Sequence, residues 1–239
     1  NVKDSGVIRL SLSHDVEADG DIIDATRPVS DDDKATDLGT AFHRLAQLAI
    51  IEGSSAADSG SSCRISKPDD ARVQAQVRSC GLSEVQSVRL RQALDLWFDS
   101  DECAMLGSYG SYGSIAAEVP FCVQIDDGNG GFILEGEIDA LATRDDGCCL
   151  FVDYKTGGSI DEDAHTLHEK HLLQSQCYAY ALLCAGFDRV DAHFVRVEQC
   201  VEETGEPQIV KYSYGSDDIN VLRDAIVCAH GYSIEDYDR

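Results

Sequence analysis

The sequence predicts an α/β fold in which a mixed central sheet is flanked by helices. A stretch with helical spacing comes first, and three strand-like segments joined by glycine-containing turns follow between residues 115 and 155. A long helical pattern over 165–185 then leads to further strands. The resulting order, α-β-β-β-α-β, is typical of an α/β sandwich with one packed core.

The N-terminal region is predicted to begin irregularly and to continue as helices. Residues 1–36 are polar and rich in acidic side chains, so we expect an irregular extension there. Apolar residues at 42, 45, 48, 49 and 50 have helical spacing, and Gly53 is expected to end that helix. A flexible loop is predicted over 53–62, within a helical insertion spanning 53–114. That insertion contains a predicted helix over 69–79, and Ser83 with Gln86 resembles a capping box that opens another helix through Phe98.

The strands are predicted from alternating or continuous apolar runs between turn residues. Residues 115–125 and 132–143 form two strands around a glycine-rich turn at 128–131. Residues 148–155 form a third strand that is apolar on both faces, so we expect it at the centre of the sheet. Two further strands are expected at 192–197 and 209–214, and a last helix at 217–229.

Composition and charge restrict the class of protein. No run of about 18 apolar residues is present, and the first residues do not have a basic stretch followed by an apolar one, so we expect a cytoplasmic protein without a membrane partner. The ten cysteines lie in apolar runs without any C-x-x-C pair, which favours buried reduced thiols over disulfides, zinc or an iron–sulfur cluster.

The formal net charge of −25 argues, taken alone, against a nucleic-acid partner, because phosphate binding depends on Lys and Arg. A divalent cation in a site would reverse the local sign of the charge. A partner domain would be another source of positive charge, and general acidity also serves solubility. The net charge therefore leaves a metal-assisted role on nucleic acid open.

A pair of carboxylates with a lysine is the strongest candidate site. Asp153 and Lys155 end an apolar strand and share one face of it, with Tyr154 on the other. If the preceding turn is centred on Asp146, Asp139 lies opposite Asp153, with Cβ atoms roughly 5 Å apart. Two like charges so placed are destabilising unless they share a proton or bind a hard cation such as Mg²⁺. The plainer alternative is a surface hairpin with solvated aspartates and a lysine ion pair.

Two residues upstream are candidates for the same site. His43 follows Gly39 by one helical turn, and the glycine would let another segment or a ligand approach closely. An imidazole is a plausible metal ligand, although single helical histidines commonly have structural roles. Glu118 precedes Pro120 in a strand-like segment and is either a structural carboxylate at a sheet edge or a polar group at the mouth of the site.

Residues of the long helix complete the set of candidates. Gln174 and Tyr178 are spaced i, i+4 and therefore share one helical face, close to His171. They are either surface residues beside a half-buried tyrosine, or groups that contact a DNA phosphate or orient the lysine.

Taken together, these segments resemble the RecB-like branch of the PD-(D/E)XK nuclease superfamily. They look most like the C-terminal nuclease domain of AddA-type helicase–nuclease subunits. The similarity covers roughly residues 38–185 and depends on five segments that occur in the family's order, LGTAFHRLAQ, AEVPF, LEGEIDAL, LFVDYKTGG and LLQSQCYAYAL. Ile138 replaces the proline that names the superfamily, as is common in this branch.

The resemblance implies a restriction-endonuclease-like fold for a nuclease domain over 37–239, with its catalytic core over 115–198. It implies Mg²⁺, or alternatively Mn²⁺, as the cofactor and a catalytic role for Asp139, Asp153 and Lys155. The implied metal ligands are His43, Asp139, Asp153 and the backbone carbonyl of Tyr154. The implied supporting and substrate-binding residues are Gln174, Tyr178 and Glu118. Some relatives carry an iron–sulfur cluster, which we do not expect here.

The implied activity is exonucleolytic hydrolysis of a DNA strand that a helicase delivers during double-strand-break repair and recombination. No G-x-x-x-x-G-K-[ST] motif is present, so the ATP-driven motor is expected elsewhere in a longer parent chain. A second nuclease or helicase subunit is a further candidate partner. Two alternatives stay open: a catalytically silent nuclease fold that guides DNA, and a metal-dependent hydrolase of a small phosphorylated substrate.

Overall fold

A computed structural model describes residues 31–57, 65–128, 130–158 and 162–237. The helices are α1 (Asp31–Ala57), α2 (Asp70–Ser79), α3 (Glu84–Phe98), α4 (Asp101–Gly110), α5 (Ala164–Cys184) and α6 (Ile219–Tyr237). The strands are β1 (Gly113–Ile125), β2 (Phe132–Arg144), β3 (Cys148–Lys155), β4 (Arg189–Cys200) and β5 (Pro207–Gly215). These elements confirm the predicted α/β class.

The five strands form one mixed sheet in the order β1-β2-β3-β4-β5. Neighbouring strands are antiparallel except for β3 and β4, which are parallel and are connected by α5. The strand β3 lies in the middle of the sheet, and six consecutive residues of it are buried. Its central position, predicted from its apolar character on both faces, is therefore confirmed.

Helices cover both faces of the sheet and define two cores. One core contains side chains of α1, α3 and α4, with Phe42, Trp97 and Leu106 among the fully buried residues. The other contains side chains of α5 and α6, with Tyr178 packed against Phe151. The strand β3 contributes to both cores, so its C-terminal end is held from two sides.

The helix α1 is longer than predicted at both ends. It begins at Asp31 inside the region expected to be irregular, where several acidic residues favour a helix N-terminus. It also continues past Gly53 to Ala57, because Gly53 is buried and the Ser54 hydroxyl donates to the carbonyls of Ile50 and Ile115 at 2.9 and 3.1 Å. The predicted ending at Gly53 is therefore wrong. The rest of the predicted extension and loop, 1–30 and 58–62, lies outside the described residues.

The segment predicted to be a helical insertion contains α2, α3 and α4. The capping box is confirmed, since the Ser83 hydroxyl accepts from the Gln86 amide and the Gln86 side chain accepts from the Ser83 amide. The short helix α4 was not among the helices predicted individually. It is capped by the Ser100 hydroxyl and buries Leu106 in the same core as α1.

Two observations concern membrane and thiol chemistry. None of the helices in the described part of the chain combines the length and apolar content needed to cross a bilayer. Nine cysteines lie in the described ranges and none of these forms a disulfide. Cys149 and Cys177 are buried as expected, whereas Cys122 and Cys184 are exposed, contrary to the prediction from their apolar neighbours.

Candidate active site

The candidate residues lie where β2 and β3 separate. The two strands pair with the predicted register from Thr143 opposite Cys149 to Ala140 opposite Val152. The next pair in this register would be Asp139 and Asp153, but the ladder ends one residue before it. The predicted cross-strand pair of aspartates is therefore absent from the ladder, and each carboxylate instead contacts a helix on a different side of the sheet.

Asp139 is held by α1 and by the backbone of β3. One carboxylate oxygen lies 3.2 Å from Nδ1 of His43, and the other accepts from the Tyr154 amide at 2.8 Å. Burial acts to raise the pKa of Asp139, but the charge and hydrogen bond of His43 and the Tyr154 N–H outweigh it and hold the pKa below its ordinary value. Asp139 is therefore an ionised carboxylate at neutral pH.

His43 is placed by a close approach between α1 and the segment after β3. Its Nε2 lies 3.2 Å from the Tyr154 carbonyl oxygen and, because a carbonyl only accepts, donates to it. One turn earlier, a Cβ atom on Gly39 would lie 2.9 Å from the Thr156 hydroxyl oxygen. The glycine thus allows α1 to approach the end of β3, as the sequence suggested.

Asp153 and Lys155 face α5. The carboxylate of Asp153 is almost fully buried, with one oxygen 2.8 Å from the Lys155 ammonium and the other accepting from the Gln174 amide at 2.8 Å. The same Gln174 amide lies 3.1 Å from the Tyr178 hydroxyl. Of the two functional alternatives for Gln174, the observed contact is with Asp153, and it fixes the carboxylate beside the lysine.

Glu118 interrupts the ladder between β1 and β2. The pairs on either side, Ala117 with Ala140 and Val119 with Ile138, keep one register, but Glu118 and Asp139 are not paired. The backbone φ of Glu118 is 52°, and among the described residues Glu118 is the only non-glycine residue with a positive φ. Such a conformation costs on the order of 1 kcal/mol and is frequent at functional sites.

Glu118 also lies in an environment that disfavours negative charge. Burial, a hydrogen bond with Glu137 and the nearby charge of Asp139 raise the pKa of Glu118 to about 8. Carboxylates in contact raise each other's pKa because two neighbouring negative charges repel when no cation lies between them. A bound cation would remove the penalty.

The donor set fits a divalent metal ion. In the described part of the chain, ligand atoms of His43, Glu118 and Asp139 all lie within 4.8 Å of one another. Neighbouring ligands of an octahedral Mg²⁺ are about 3 Å apart, close to the 3.2 Å between His43 and Asp139. This group includes Glu118, which the sequence suggested only as a supporting residue, and it does not include Asp153. The roles of Asp153 and the Tyr154 carbonyl as ligands stay predictions.

His171 of α5 packs in the core and contacts no candidate metal ligand in the described contacts. It is buried and stacks on Phe194 with ring centroids 4.9 Å apart and an interplanar angle of 6°. Burial, together with the charges of Lys155, Lys170 and Arg196, lowers the pKa of His171 to about 4. His171 is therefore a neutral packing residue at physiological pH.

Several polar residues around the loop after β3 were not predicted. The Gly157 amide donates to Glu198 at 2.7 Å, and the Gln199 side chain donates to the Gly158 carbonyl at 3.2 Å. Arg89 of α3 in turn forms a bidentate ion pair with Glu198. These contacts fix the loop that follows Lys155. The pairing of Lys155 with Arg196 across β3 and β4 also brings a second cation close to the site.

Comparison with known proteins identifies the family of the chain. The model of the PD-(D/E)XK nuclease superfamily matches residues 17–237, which include the whole sheet and the helices on both faces. No curated protein sequence matches the chain. Among solved structures, one described as "Crystal structure of SSO0001" has a TM-score of 0.33 and 13% identity, covering 79% of this chain and 74% of that chain. The family match suggests a nuclease with divalent metal ions, and the chain belongs to the PD-(D/E)XK nuclease superfamily.

Proposed function

We propose that this protein is a Mg²⁺-dependent deoxyribonuclease that hydrolyses phosphodiester bonds at the site formed by Asp139, Asp153 and Lys155. The observation that carries the proposal is the meeting of α1, β2, β3 and α5 at one end of the sheet. His43, Asp139, Lys155 and Gln174 come from these four elements, and each of them belongs to a segment that resembles the family's motifs.

The residues divide the work between metal binding and substrate chemistry. Asp139 and His43, with Glu118 and the Tyr154 carbonyl nearby, would hold the ion, and Asp153 is proposed as a further ligand. When bound, Mg²⁺ or Mn²⁺ would polarise the scissile phosphate and lower the pKa of a water molecule. The Lys155 ammonium, kept in place by Asp153, orients the attacking water and offsets the negative charge that develops on the phosphate.

The acidity of the chain supports a division of labour with another domain. A net charge of −25 disfavours independent binding of DNA, so a strand fed by a helicase motor is the substrate we propose. We therefore propose that the domain belongs to an ATP-dependent helicase–nuclease of the RecB-like branch and acts as an exonuclease in double-strand-break repair and recombination. A second nuclease or helicase subunit would be its partner.

Cleavage of labelled single-stranded DNA tests the activity. The chain is incubated with Mg²⁺, with Mn²⁺ or with chelator, beside the variants Lys155→Ala and Asp153→Asn. We expect metal-dependent cleavage that falls by about 10²-fold or more in both variants. The control is Lys67→Ala, which removes an exposed lysine that pairs with Asp95 of α3 and contacts none of the candidate residues in the described contacts. Cleavage that survives both site substitutions would refute the assignment.

Metal binding has an independent readout in the single tryptophan. Trp97 is fully buried and its ring lies 5.0 Å from that of Tyr154, whose backbone contacts both His43 and Asp139. We expect Mn²⁺ to quench the Trp97 fluorescence in the intact chain and not in Asp139→Asn. Binding without cleavage would favour the catalytically silent alternative or a strict need for the motor. Absence of binding would refute the metal site.

A further inference from the structure

A buried arginine lies on the strand beside the candidate lysine. Arg196 of β4 is the register partner of Lys155, and neighbouring strands are about 4.8 Å apart. Its side chain is only 3% exposed, and one guanidinium nitrogen donates to Gln208 at 2.6 Å. A Cβ atom on Gly158 would lie 2.2 Å from another guanidinium nitrogen, so this glycine leaves the space that the arginine occupies.

The carboxylate of Glu162 covers this arginine and joins it to a lysine. One oxygen lies 2.8 Å from a guanidinium nitrogen of Arg196, and the other lies 3.3 Å from the Lys170 ammonium. Each oxygen of one small anion therefore faces a different cation. Glu162 is 22% exposed and Lys170 is 37% exposed, so the arrangement opens to solvent on the side of Glu162 and Lys170. A phosphate group has the same charge sign and a similar arrangement of acceptor oxygens.

We propose that Arg196 and Lys170 form a binding subsite for a backbone phosphate of the DNA strand, and that Glu162 occupies this subsite in the absence of DNA. The proposal rests on the proposed nuclease function, because the phosphate it binds belongs to the nucleotide next to the scissile bond. Binding replaces the Glu162 carboxylate by a phosphate and breaks no covalent bond.

The electrostatics of the region support an anion site. The charges of Lys155, Lys170 and Arg196 all lower the pKa of the buried His171, although the chain as a whole carries a net charge of −25. Two nearby carboxylates are already paired, Asp153 with Lys155 and Glu198 with Arg89. Closely spaced cations attract an anion, and Glu162 is the carboxylate that contacts both Arg196 and Lys170.

The test measures single-stranded DNA binding by fluorescence anisotropy in chelator, together with KM and kcat for cleavage in Mg²⁺. Glu162→Gln removes the competing charge, so we expect DNA to bind roughly fivefold more tightly, with a lower KM and little change in kcat. Lys170→Gln removes one phosphate contact, so we expect weaker binding and a salt-dependence slope reduced by about 0.7.

Matched controls separate a local effect from a change in overall charge. Glu52→Gln and Arg72→Gln make the same charge changes at an exposed ion pair between α1 and α2. Equal behaviour of Glu162→Gln and Glu52→Gln in a chain that cleaves DNA would refute the subsite alone. If the intact chain binds Mn²⁺ but neither binds nor cleaves DNA, the subsite alone is refuted. If it also fails to bind Mn²⁺, the proposed function fails with it. Competition by the mononucleotide dTMP as strong as that by the oligonucleotide would identify a free-phosphate site and contradict our proposal.

Discussion

The buried histidine on α5 predicts a specific pH dependence of stability. His171 stacks on Phe194, and its pKa is lowered from 6.5 to about 4, first by burial and then by the charges of Lys155, Lys170 and Arg196. Between these two pH values the unfolded chain binds a proton that the folded chain does not. Stability is therefore complete above about pH 6.5 and is lost as the pH falls towards 4.

The magnitude follows from the two pKa values. One pKa unit corresponds to about 1.4 kcal/mol, so His171 accounts for a loss of up to about 3 kcal/mol across this interval. The variant His171→Phe keeps an aromatic ring against Phe194 and removes the titrating group. Its free energy of unfolding is expected to fall less than that of the intact chain between pH 6.5 and 4.

Urea unfolding followed by the fluorescence of Trp97 measures this difference at several pH values. The many carboxylates of the chain titrate in both proteins, so only the difference between the two curves reports His171. A difference that stays constant to within about 0.5 kcal/mol from pH 7 to pH 4 would show that His171 is not held neutral, and the reasoning would be wrong.

Three other perturbations test separate parts of the structure. Burial, more than any other cause, raises the pKa of Glu118 to about 8. The folded, metal-free protein therefore holds a proton that the unfolded chain releases, and its stability should fall as the pH rises from about 4.5 to 8. Thermal melts of Glu118→Gln should lack this fall. Gly39→Ala should lower Mn²⁺ affinity by pushing α1 away from the end of β3, and adding Thr156→Ala should restore it, as measured by fluorescence titration. Ser83→Ala should destabilise the protein by about 1 kcal/mol in urea unfolding, and no change would argue against the capping box.

Local patterns predicted much of the fold from the sequence. Strand β3 was predicted with the bounds that it has, because turn residues and an apolar run define it on both sides. The register of β2 on β3 followed from the position of the turn and the two-residue period of a strand. The ends of α1 were not predictable from local pattern, because packing of Gly53 against the core overrides its tendency to end a helix.

The residues of the candidate site could be predicted from the sequence, but the contacts between them could not. The segments around Asp139, Asp153 and Lys155 could be found by resemblance and spacing. The contacts of Asp139 with His43 and the Tyr154 amide could not, because they depend on how closely α1 approaches the end of β3. Arg196 and Glu162 belong to no short motif, since they meet only through the parallel pairing of β3 and β4.

The parallel pairing of β3 and β4 has a consequence for how the protein folds. The strands β1, β2 and β3 are close in sequence and can pair early, whereas β4 can join β3 only after the crossover through α5 has closed a long loop. Gln174, which holds Asp153, arrives on that same crossover. The topology therefore implies that the strands carrying Asp139 and Asp153 pair first and that α5 fixes Asp153 last. An incompletely folded chain would lack an ordered candidate active site.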